Sequence, residues 1–155
     1  MQIGVIGTAR ANEDERARAV KVGELIVRAG AVLICGGLGG VIEAASLGAR
    51  KVGSTTVGII PGYEKRDANP YVDIVVATGM GHARNTIVAA ISDALIAIGG
   101  ETGTLLEIAL ALKLGKKVIG LETWDIPGVI KARTPEEAVK ILTVTLNILT
   151  IPKRG

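Results

Sequence analysis
Along this chain, short apolar runs repeatedly stop at glycine-rich turns and hand over to segments with helical spacing. The runs cover residues 3–6, 31–35, 55–60, 73–77, 94–98 and 118–121. They are continuous rather than alternating, which is the pattern of parallel strands covered on both faces. Helical patterns fill the gaps at 13–28, 41 to about 50, 84–91, 103–114 and 135 to about 149. Thr134 with Glu137 forms a capping box for the last of these, and Pro135 takes its first position. Strand and helix in alternation predict an α/β fold. The expectation is a single doubly wound Rossmann-like nucleotide-binding domain over residues 1–155. Its sheet would be mostly parallel and six- to seven-stranded, flanked by helices. The expected order of the six runs is 3-2-1-4-5-6, with ligand bound beyond the carboxyl ends of strands one and four.

Composition narrows the function classes. The chain has 155 residues, 2% aromatics and no Phe, so its core is aliphatic. Scarce aromatics leave few stacking platforms for single-stranded nucleic acid. A net charge of +3 without a long basic block suits an anionic small ligand better than DNA. A DNA-handling protein of the wider Rossmann group is therefore disfavoured. Cys35 is the only cysteine, and no zinc-ligand spacing is present. No metal is predicted as a requirement. The first residues read as a strand rather than a signal peptide. The apolar runs are too short to span a bilayer. These readings predict a cytoplasmic protein.

The glycines cluster where strands end. Gly7 and Thr8 follow the first run, and Gly36, Gly37, Gly39 and Gly40 follow the second. Gly79 and Gly81 follow the fourth, and Gly99, Gly100 and Gly103 follow the fifth. Glycine lets backbone N–H groups approach an anion closely, and a helix starting just beyond adds its dipole. The amides of Thr102, Gly103 and Thr104 could cradle a phosphate, with the two threonine hydroxyls donating to it. Glu107 follows in the same helix. Thr104 and Glu107 also read as a capping box, which alone would explain both. In the segment 81–85, Arg84 suits bidentate binding of phosphate or carboxylate, or is simply a solvated residue. His82, the sole histidine, has no visible catalytic partner.

On these segments the chain resembles the family once labelled "possible lysine decarboxylase", which includes the Lonely Guy phosphoribohydrolases. It is nearest the small prokaryotic branch with molybdenum-cofactor carrier-like proteins. Residues 35–41 match that family's second glycine-rich loop, 81–85 its M-H-x-R-K region, and 99–107 its P-G-G-x-G-T-x-x-E motif. The resemblance implies catalytic roles for Arg84 and Glu107, and 5′-phosphate binding at Gly103 and Thr104. It also implies a homo-oligomer, a dimer or tetramer, with sites near the subunit interface. Glu101 stands where the motif has glycine, and Gly81 and Asn85 replace its methionine and lysine. These departures favour a ligand other than a cytokinin ribotide.

Two functions follow. In the first, the protein binds a phosphorylated nucleotide or nucleotide-like ligand and hydrolyses the N-glycosidic bond of a nucleoside 5′-monophosphate. Glu107 would then stabilise an oxocarbenium-like transition state and orient water, and Arg84 would anchor the substrate. In the second, the same loops serve a carrier or sensor of molybdenum cofactor or of a nucleotide, without turnover. Neither needs a further cofactor.

Overall fold
The computed structural model describes residues 1–146. Seven parallel strands form one sheet: β1 (Gln2–Gly7), β2 (Val32–Cys35), β3 (Thr56–Ile60), β4 (Ile74–Ala77), β5 (Ala94–Ile98), β6 (Lys117–Leu121) and β7 (Val129–Ala132). Five helices flank it: α1 (Glu13–Arg28), α2 (Val41–Lys51), α3 (Arg84–Ile91), α4 (Thr102–Lys113) and α5 (Pro135–Thr145). The Rossmann-like architecture predicted above is therefore present. The end proposed for the last helix, about residue 149, lies outside the described residues.

The strand order differs from expectation. It is β4-β3-β2-β1-β5-β6-β7 rather than 3-2-1-4-5-6. No helix separates β3 from β4. A loop with one 3-10 turn at Lys65–Asp67 returns the chain, and β4 pairs directly with β3. Thr56 and Asp73 fix that pairing at its start. The Asp73 carboxylate accepts from the Thr56 amide at 2.8 Å and from its hydroxyl at 2.9 Å. The buried Asn69 ties the same loop to the turn after β2, its backbone N–H donating to Gly37 O at 2.8 Å and its Nδ2 to Leu38 O at 2.9 Å. The chain crosses to the far side of β1 only after α3. The topological switch point thus lies between β1 and β5, not between the first and fourth strands. β7, from the short run Val129 to Ala132, adds an edge beyond the six runs read from the sequence.

Two aliphatic cores sandwich the sheet. One joins Val5, Leu33 and Ile96 to α1, α2 and α5 through Val22, Ala45 and Leu142. The other joins Ile6, Ile34 and Leu95 to α3 and α4 through Val88 and Ile108. Three helices cover the first face and two the second. Val57 and Ile59 of β3 belong to the second face, and their partners on β4 are Ile74 and Val76. Those two stay 51% and 42% exposed.

Candidate functional site
The strand ends at the switch point enclose a cleft of about 210 Å³. Of the residues predicted from sequence, Gly7, Thr8, Gly39, Arg84, Gly103, Thr104 and Glu107 line it. Gly36, Gly37, Gly40, Gly100 and Thr102 do not. Gly36 lies against the guanidinium of Arg84, Gly40 against the backbone of Thr8 and Ala9, and Gly100 against Thr104. Gly37 serves the Asn69 clamp, and Thr102 is exposed.

The capping-box reading of Thr104 and Glu107 is overturned. The N-cap of α4 is Glu101, which places Thr104 inside the first turn and Glu107 inside the helix. Among the described residues, no side chain caps α4, and none caps α2 or α3. The helices α1 and α5 are capped by Asn12 and Thr134. The starts of the three uncapped helices all contribute to the cleft, through Gly39 just before α2 and Ile42 within it, Arg84 and Asn85 of α3, and Gly103 and Thr104 of α4. The positive ends of three helix dipoles therefore meet in one place, although the first amide of α2 donates to Thr8 O at 3.0 Å and that of Arg84 in α3 donates to Gly81 O. The Thr8 hydroxyl sits among them and accepts from the Arg10 amide at 3.1 Å.

Arg84 is not a solvated surface residue. It begins α3 and is 8% exposed. Its Nη1 stands 3.7 Å from Glu107 Oε1 and donates to the Asn85 side-chain oxygen. Its Nε is buried with no partner among the described residues. The glycine at 36 makes this placement possible: a Cβ there would stand 3.0 Å from the guanidinium carbon and both terminal nitrogens. Burial pushes the Glu107 carboxyl up to about 7, against the opposing pull of Arg84. Burial also lowers the Arg84 pKa, while Glu107 and then Cys35 work the other way.

Sequence reasoning missed several walls of the cleft: Ala9, Leu38, Ile42, His82, Asn85 and Glu101. Asn85 and Glu101 stood out as departures from a motif, and that was a usable signal. Leu38 and Ile42 carry none, because an apolar residue in a loop or first turn looks the same whether it faces core or cleft. Among the described residues, no group of three or more His, Cys, Asp or Glu side chains is placed to hold a metal ion. No described helix is long and apolar enough to cross a membrane.

A doubly wound parallel sheet with uncapped helices around its switch point defines the protein as a Rossmann-like α/β domain with a ligand-sized cleft. The chain belongs to the SLOG cluster4 family, whose model matches residues 1–147. An uncharacterised protein of Archaeoglobus fulgidus is 52% identical over 141 residues, 90% of this chain and 92% of that one. Among solved structures, the molybdenum cofactor binding protein of Rippkaea orientalis superposes with a TM-score of 0.89 at 37% identity. That match covers 94% of this chain and 96% of the other. The Moco carrier protein of Chlamydomonas reinhardtii gives 0.86 at 34% identity, over 94% of this chain and 97% of the other. The likeness to the molybdenum-cofactor carrier branch is thus borne out.

Proposed function
We propose that this protein is a carrier of molybdenum cofactor, holding that phosphorylated pterin without turnover. One observation carries the reading: the end-to-end likeness to two proteins named for binding this cofactor. The cleft fits the phosphate end of such a ligand. Among the described residues, the buried Nε of Arg84 has no partner and no side chain caps the start of α4. A phosphate monoester offers oxygen acceptors for both sets of donors. In this reading Gly7, Thr8, Gly39, Gly103 and Thr104 form the cradle, Arg84 supplies the charge, and Gly36 makes room for it. Glu107 is then a positioning partner for Arg84, and the molybdenum is cargo. Anaerobic titration with molybdenum cofactor, followed by gel filtration and metal analysis, tests this. Co-elution that falls at least tenfold in Arg84→Gln is the expected result.

A second reading keeps the phosphoribohydrolase chemistry, and Glu107 favours it. A carboxyl pushed up to about 7 inside a cleft is poised to exchange protons near neutrality. Release of free base from a nucleoside 5′-monophosphate, abolished in Glu107→Gln, would establish that activity and overturn the carrier reading.

The protein is further proposed to be a homo-oligomer. Exposed apolar side chains on β4 and α4, including Ile74, Val76 and Leu106, support this.

A further inference from the structure
We propose that a hollow beside the end of β6 is a second subsite, shaped for the flat ring of a pterin, with Trp124 as its stacking surface and Asp125 as acceptor for the ring's adjacent N–H groups. The inference rests on the carrier reading and extends it from the phosphate end of the ligand to the ring.

The hollow holds about 300 Å³, and Glu122, Thr123, Trp124, Asp125, Lys131 and Arg133 are among its walls. Its loop is held in a costly conformation. Glu122 has φ 48°, the one positive value outside glycine among the described residues. Three successive side chains enforce it. The Glu122 carboxylate accepts two bonds from the Arg18 guanidinium, at 2.7 and 2.9 Å. Thr123 donates its hydroxyl to Gly99 O at 2.5 Å. The Trp124 indole donates Nε1 to Glu101 O at 3.1 Å. Backbone strain held by surrounding contacts is a feature of ligand clamps.

The clamp joins the two hollows. Glu101 also lines the phosphate cleft, so the indole is anchored to that cleft's own rim. With its N–H satisfied, Trp124 stays 38% exposed. A chain with one Trp, two Tyr and no Phe has few such surfaces. The polar groups beside it match one edge chemistry. Asp125 Oδ2 and Lys131 Nζ lie 2.7 Å apart on largely exposed side chains, a pair that opens at little cost. The 2-amino-4-oxo edge of a pterin presents two neighbouring N–H donors next to a carbonyl acceptor. A carboxylate takes the donors and an ammonium meets the carbonyl.

Trp124 is the only tryptophan, so its fluorescence reports this subsite alone. Neopterin, a pterin without phosphate, is titrated into the full-length protein, with calorimetry on Trp124→Leu and on the surface variant Asp125→Asn. The expected result is saturable quenching, with affinity reduced about tenfold or more in each variant, as for loss of one stacked or edge-bonded base. Absence of saturable quenching, or unchanged affinity in both variants, overturns the subsite. Inorganic phosphate is titrated in parallel to test the cleft. Phosphate binding that survives in Trp124→Leu and is lost in Arg84→Gln supports the carrier reading whatever neopterin does. Failure of phosphate to bind the wild-type protein counts against that reading alone, and the neopterin arm still decides the subsite.

Discussion

At Glu107, burial and a neighbouring cation pull in opposite directions, and burial wins. Its carboxyl rises from 4.5 to about 7 on folding. The folded state therefore holds this proton more tightly than the unfolded chain. Its contribution to stability is intact below 4.5, declines as pH rises towards 7, and is constant above that. Other carboxylates titrate too, so the comparison with Glu107→Gln isolates the effect. Urea unfolding at pH 5 and pH 8 is expected to show the wild type losing stability relative to that variant at the higher pH. Anion binding follows the same sign. An anion whose charge does not change near neutrality, such as sulfate, meets repulsion beside an ionised Glu107, so sulfate affinity should weaken as pH rises through 7, with proton uptake detectable by calorimetry in two buffers. Gly36 is the other decisive residue. In Gly36→Ala the new methyl would press on the Arg84 guanidinium from 3.0 Å, with its carbon and both terminal nitrogens equally close. A loss of about 1–3 kcal/mol in urea unfolding is expected, together with weaker phosphate binding.

At the scale of elements, the helices divide by how their first turns are satisfied. The start of α1 is closed by a reciprocal pair: Asn12 Oδ1 accepts from the Glu15 amide, and Glu15 Oε2 from the Asn12 amide, each at 2.9 Å. Asn12→Ala should cost about 1 kcal/mol in thermal or urea unfolding. The start of α4 has Glu101 at the same position with no cap bond, on the wall of the cleft. Glu101→Gln should leave unfolding unchanged within about 0.5 kcal/mol, because no cap is lost. The same change should tighten phosphate binding several-fold at low salt, since a negative charge leaves the helix start. Equal stability losses in the two variants would show that Glu101 caps α4 after all.

The whole molecule leaves its two faces unequal. A parallel sheet is ordinarily covered on both sides, yet among the described residues no helix covers the strip over β3 and β4 beside α3. Ile74 at 51%, Val76 at 42% and, on α4, Leu106 at 56% exposure lie on that side. Sedimentation of the wild type is expected to show an oligomer, and Leu106→Glu a smaller species at the same concentration. A wild type that sediments as a monomer at micromolar concentration would remove the homo-oligomer from the proposal.

The sequence by itself determined the layered α/β class and pointed to the carboxyl edge, where the candidate cleft lies. Continuous runs such as 94–98 have no polar face to give to water, so a buried parallel strand is their only outlet. The glycines at 7, 39 and 103 mark where strands must turn into helices. It also singled out Arg84 and Glu107. Tertiary structure decided what those residues are to each other. Whether Thr104 and Glu107 form a cap depends on where α4 begins, and Glu101 settles that by taking the N-cap. The 3.7 Å approach of Arg84 to Glu107 joins two helices that follow different strands. The strand order places β4 beside β3 through a four-residue parallel ladder, opened by the Thr56–Asp73 hydrogen bond, a pairing with no trace in local periodicity. Periodicity reports which face of an element is buried. Which elements become neighbours depends on contacts between residues far apart in the chain, and only the folded molecule brings those together.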